Sequence, residues 1–244
     1  MQRTAVALTG VLGVLLMTAT ASVARGRPTA AAKCRPSSSH VLFTDPQAEL
    51  YAVPNGEVLN IRACANGQRR SFFIASCNRR ESAAACAEVP RVTLAGAAVA
   101  YEEFFTTADR YTLEGATVRT SLRVIVRDLR TGRVLHDVPT GTPPKPEPGS
   151  VGVGEIVALV LKSDGSVAWI AEDDERSAVA KAPYFDVYAV EGSGTRLLAS
   201  GTDVDPSSLA LSVDATHLDD YPHTIAGNTL YWTQGGQSFS TTLN

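Results

Sequence analysis

His217-Leu218-Asp219-Asp220-Tyr221-Pro222-His223 places two of the chain's four histidines beside two carboxylates in one short stretch. Imidazole and carboxylate side by side can hold a transition metal or relay protons. Asp-Tyr-Pro is also a turn signal, and an inserted turn does not preset the geometry that a metal demands. His217, Asp220, Tyr221 and His223 are therefore expected to touch a ligand without forming a catalytic or metal centre. Tyr111 and Tyr184 lie in or beside other inserted segments and are expected to contact a partner in the same way.

Glu172-Asp173-Asp174-Glu175 offers oxygens for calcium but lacks the spacing of a calcium loop. Consecutive carboxylates point apart, so a solvated loop is expected there. Asp203-Val204-Asp205-Pro206 reads as a turn into Ser207. The chain contains no G-x-S-x-G elbow, no H-E-x-x-H and no Ser-x-x-Lys. Val151-Gly152-Val153-Gly154-Glu155 precedes a strand, so no helix N-terminus follows to take a phosphate. No catalytic residue, metal or cofactor is assigned.

Four cysteines, Cys34, Cys64, Cys77 and Cys86, suggest two disulfides in an oxidising compartment. Cys64 falls at a turn and Cys77 at the far end of the returning strand, beyond disulfide reach of each other. The expected pairs are then Cys77 with Cys86 and Cys34 with Cys64. The N-terminus agrees with that compartment. Arg3, an apolar run from Ala5 to Met17 and small residues up to Ala24 have the form of a secretory signal spanning 1–24. Its removal would take away one positive charge, turning a formal net charge of −3 into −4. A chain of that sign has no electrostatic footing for nucleic acid. No membrane contact beyond the signal is expected, and the protein is placed in the secreted or cell-envelope fraction.

The elements that must position these side chains are short and β-type. Residues 25–39 are small, polar and Pro-broken, as in a disordered arm. Residues 40–244 read as one domain of strand pairs. A motif of strand, tight turn, strand and aromatic occurs at Leu94–Tyr101, Ser163–Trp169 and Ile225–Trp232. A polar Gly turn between two further strands follows at Val126–Leu135 and Tyr188–Leu198. Together they predict four-stranded antiparallel units near 40–77, 91–139, 156–201 and 207–243, with no helix. The aromatics Tyr101, Trp169 and Trp232 fall at equivalent positions and are expected to pack between units. The last unit shows three clear strands, and His40 to Phe43 is expected to supply a fourth that closes a ring.

On these elements the chain resembles the secreted β-propeller repeat proteins of the loose YncE, TolB and WD-repeat kind. The resemblance spans most of residues 40–243 and omits the Gly-His and Trp-Asp signatures of WD repeats. It implies an all-β, propeller-like array of about four blades, with a β-sandwich as the alternative. In such an array one face collects the long segments 76–90, 105–120, 139–155 and 172–183. The expected function is an exported binding or scaffold protein that takes an extracellular ligand or protein on those loops. A secreted hydrolase or lyase with a shallow carboxylate-lined site is one alternative, and a structural cell-envelope protein is the other.

Overall fold

Apolar runs of four to eight residues interrupted by Gly, Asn-Gly or Asp-Gly turns are the pattern of antiparallel hairpins, and hairpins are what form. The computed structural model describes residues 34–78, 91–112, 115–141, 154–212 and 227–244. Four antiparallel sheets follow one another, each a meander in chain order. The first holds β1 (His40–Asp45), β2 (Ala48–Asn55), β3 (Val58–Ala65) and β4 (Phe72–Asn78). The second holds β5 (Val92–Ala95), β6 (Ala98–Thr112), β7 (Gly115–Asp128) and β8 (Val134–Pro139). The third holds β9 (Ile156–Leu161), β10 (Val167–Glu172), β11 (Phe185–Glu191) and β12 (Gly194–Gly201). The fourth holds β13 (Ala210–Leu211), β14 (Thr229–Gln234) and β15 (Gln237–Thr242). The boundaries follow the four units legible in the sequence.

The core is divided into three layers, one between each pair of consecutive sheets. Leu50, Ile61, Ala63 and Phe72 of the first sheet meet Val99, Tyr101 and Ile125 of the second. Val124 and Val126 of the second meet Ile156, Leu161, Trp169 and Tyr188 of the third. Ala168, Ile170 and Val187 of the third meet Leu211, Leu230 and Trp232 of the fourth. The repeated aromatics Tyr101, Trp169 and Trp232 therefore each fill a different layer. Burial of such side chains supplies most of the driving force that holds sheet on sheet.

The tight turns at the starts of the sheets touch one another. Gly96 has a φ of +58°, which a side chain rarely adopts, and its amide donates to Asp45 Oδ2 at 3.2 Å. A Cβ there would come within 3.1 Å of Ser163 Cβ. The turn motif that recurs in the sequence is thus a point of close approach between three consecutive sheets.

Cys34 and Cys64 form a disulfide. Residues 34–39 lie against the first sheet, where Arg35 pairs with Glu49 at 3.0 Å and Tyr51 OH donates to the Cys34 carbonyl at 3.2 Å. Cys77 is also disulfide-bonded, while Cys86 lies outside the described residues. Replacing Cys34 and Cys64 together by serine should lower stability by about 3 kcal/mol, because the bond closes a loop spanning 30 residues. Urea denaturation of the double variant measures this.

Three expectations change. Residues 105–120 are not a loop: β6 and β7 continue as a paired hairpin, with Thr106 opposite Thr120 and Tyr111 opposite Ala116. A Thr-rich ribbon with polar residues at most positions has good β propensity but no apolar alternation to announce it. The acidic run is not a solvated loop either. Asp173 is the N-cap of a helix α1 (Asp174–Ala180), accepting from Arg176 N, and Asp174 and Glu175 occupy its first turn. Carboxylates are favoured there by the unpaired amides of the helix start, and seven residues are too few to show a helical period. The third change concerns closure. His40 to Phe43 belongs to β1 and pairs with β2 inside the first sheet, leaving three strands in the fourth among the described residues.

Candidate functional site

The hairpin around Gly96 sets Arg91 opposite Glu102, whose amide donates to the Arg91 carbonyl at 3.0 Å. Both side chains reach across to the start of β9. Arg91 Nε donates to the Ile156 carbonyl at 3.0 Å, and the Ile156 amide donates to Glu102 Oε1 at 3.1 Å. One peptide segment of the third sheet is thereby held by two charged side chains of the second. Gly154 lets the chain entering β9 lie close to β10 of the same sheet, since a Cβ there would lie 2.0 Å from the Glu172 carbonyl oxygen.

Beside this seam an open groove of about 300 Å³ is lined by Arg91, Val92, Val157, Ala158, Leu159, Val160 and Leu209. Its walls are half-buried residues at and beside β5 and along β9, with the buried Leu209 from the approach to β13. Most of its lining side chains are aliphatic, although the surface they leave accessible is more polar than apolar, and its volume lies at the lower end of the range for small-ligand sites. Nε fixes the Arg91 guanidinium, while its terminal nitrogens have no hydrogen-bond partner among the described residues. They remain available to an acceptor.

Burial pushes the Glu102 carboxyl up to about 6, and the Glu155 carboxylate adds like-charge repulsion; the Ile156 amide and Arg91 pull the other way. The folded state therefore holds this proton more tightly than the unfolded chain does. Stability falls as pH rises from the ordinary carboxyl range through 6. Glu102→Gln keeps the Oε1 acceptor and removes the buried charge. It should leave stability unchanged at pH 4 and raise it by about 1 kcal/mol at pH 8, after allowing for solvent screening. Denaturant midpoints of both proteins across that range check the sign.

A second polar cluster lies on the third sheet. Asp186 is buried and bonded by Arg176 Nη2, by Ser200 Oγ at 2.6 Å and by Tyr188 OH at 3.0 Å. Arg176 also binds Asp173 at 2.7 Å and Ser200 at 2.9 Å. Its guanidinium lies 4.5 Å from the centre of the Tyr184 ring. The Tyr184 amide donates to Ser177 Oγ at 2.7 Å, and its hydroxyl is 3.2 Å from Ser200 Oγ. Since both Asp186 oxygens are bonded within the protein, the cluster fastens α1 to its sheet.

Of the side chains expected at the site, Tyr184 is thus part of this clamp. Tyr111 is placed by its backbone in β6, opposite Ala116 of β7. His217, Asp220, Tyr221 and His223 lie outside the described residues. Arg91, Glu102 and Glu155 were not singled out, although counting the register outward from Gly96 pairs Arg91 with Glu102 directly. Among the described residues there is no group of three or more His, Cys, Asp or Glu placed to hold a metal ion, and no helix long and apolar enough to cross a membrane. Comparison with protein-family models, with characterised proteins and with solved structures gave no match.

Proposed function

We propose that this chain is an exported binding module whose sheets act as blades of a small propeller-like array and whose ligand enters the groove at Arg91. The blade reading is supported by meanders stacked in chain order, by a repeated aromatic in every seam and by neighbouring first strands β1, β5 and β9. Export is supported by the signal-like N-terminus and the Cys34–Cys64 disulfide.

The observation that carries the binding reading is the half-buried Arg91, held by Nε with its terminal nitrogens unbonded among the described residues, at the rim of a groove lined by aliphatic side chains. Glu102 and Glu155 stand beside it, so an anionic ligand would meet repulsion once Glu102 ionises. The ligand favoured by this balance is an uncharged molecule with an apolar body and a carbonyl or amide oxygen for Arg91. Thermal-shift titration with pentanamide and hexanamide tests it. Both should raise the melting temperature of the native protein and leave Arg91→Ala unaffected; equal shifts in the two proteins, or none in either, contradict the assignment.

The hydrolase or lyase reading draws on one specific feature, two carboxylates from different sheets with Glu102 shifted toward neutral pH. It requires turnover of a polysaccharide or ester that Glu102→Gln abolishes. The Ile156 amide already occupies Glu102 Oε1, and this favours a positioning role for that carboxyl over proton transfer.

A further inference from the structure

Among the described residues the last strand of each sheet pairs with a neighbouring strand on one side only, and three of these four edge strands are interrupted. Strands β4, β8 and β12 each carry a register shift against their neighbour, at Ile61/Arg62, Val126/Arg127 and Val187/Tyr188. β8 also holds Asp137 and Pro139, and β12 holds Arg196. Bulges, charges and proline are the devices that prevent edge-to-edge pairing. The fourth edge has none of them. β15 pairs with β14 without a register shift, and from Thr224 to Asn244 the sequence contains no Asp, Glu, Lys, Arg or His. Five of its six residues are exposed, and Phe239, with 41% of its surface accessible, is among them.

The ladder fixes which backbone groups face outward. The Thr229 carbonyl accepts from Ser212 N at 2.7 Å, and Leu243 N donates to the Asn228 carbonyl at 2.7 Å. Alternation in an antiparallel pair then turns the amides and carbonyls of Ser238, Ser240 and Thr242 away from β14. The Thr242 carbonyl is held by Arg196 Nη2 at 3.2 Å, and the other outward groups have no hydrogen-bond partner among the described residues.

We propose that β15 is a self-association edge, at which two copies of this chain pair antiparallel about a two-fold axis through Ser240. That register sets Ser240 against its own copy, Ser238 against Thr242 and Phe239 against Thr241. The pairs are hydroxyl with hydroxyl or aromatic with β-branched, and no like charges oppose. Apart from the Arg196 guanidinium at Thr242, the edge offers an acidic or basic foreign strand no charge to recognise, whereas a second copy matches it group for group from Ser238 to Ser240. The two three-stranded fourth sheets become one continuous sheet. A contact this short belongs to the weak, concentration-dependent class.

Sedimentation velocity over about a hundredfold range of concentration is the test. The native protein should pass from monomer to dimer. Ser240→Pro removes an amide that the intramolecular ladder does not use and should leave a folded monomer throughout. Ser240→Lys sets two ammonium groups face to face and should weaken the dimer about tenfold or more. Ser240→Cys should cross-link two copies on mild oxidation, because directly opposite Cα atoms in such a pair lie about 5.5 Å apart. Should Ser240→Pro also lower the melting temperature, Ser240→Lys decides alone. A monomer at every concentration, or a dimer that withstands Ser240→Lys, overturns the proposal.

Discussion

Trp169→Ala should cost about 4 kcal/mol, the largest loss expected from any single truncation in this chain. Trp169 is fully buried in the layer between the second and third sheets and stacks on Tyr188 at 5.3 Å between ring centres. Its indole N–H donates to the Thr140 carbonyl at 2.6 Å. Alanine would leave a cavity flanked by two rigid sheets that cannot collapse into it, and would orphan a buried carbonyl. A loss of that size is a large part of the total stability of an ordinary domain. The indole hydrogen bond can be read separately. Trp169→Phe should cost more than Trp232→Phe, because Trp232 Nε1 has no hydrogen-bond partner among the described residues. Denaturant unfolding of the three variants gives the comparison.

Arg176→Ala should cost about 3 kcal/mol through what it leaves behind. The Asp186 side chain is only 2% exposed, and without the guanidinium it becomes a buried carboxylate held by Ser200 and Tyr188 alone. Asp173 would keep its cap on the Arg176 position through the backbone amide, so α1 would not be lost with the ion pair. The combined change Arg176→Ala with Asp186→Ala should cost less than the sum of the two single changes, since it removes the charge together with its partner. A double-mutant cycle in urea measures the difference; strict additivity would mean that the pair is not coupled.

The large divisions of this fold were legible because they depend on local signals. Gly96 in its turn, the aromatic at the end of the next strand and the polar Gly turn after Asp128 recur at nearly fixed spacing, and they set the limits of the sheets. Features that depend on polar residues were harder to see. The ribbon around Tyr111 has no apolar alternation in its sequence to announce it, and α1 reads as a charge run until Asp173 is recognised as its cap. The groove was invisible for a different reason. Arg91 and Glu102 face each other within one hairpin, but Glu155 is far from both in sequence and joins them only because the second and third sheets stack with β5 beside β9. A hairpin register supplies half of that constellation, and packing between sheets supplies the rest.

Edges show the same division. The uncharged stretch after His223 is plain in the sequence, but its meaning depends on β15 being the outermost strand of its sheet and on the bulges that interrupt the other three edges. Neither property leaves a mark in composition.

Whether ligand enters at Arg91 can be observed residue by residue in nitrogen–proton correlation spectra recorded during a titration with hexanamide. Binding in the groove predicts concentration-dependent shifts in the Arg91 Nε–H signal and in the amides of Val92, Val157 to Val160 and Leu209, with residues of the first sheet unmoved. Shifts concentrated on α1 or β15, or an Arg91 signal that stays fixed while other signals move, would contradict it.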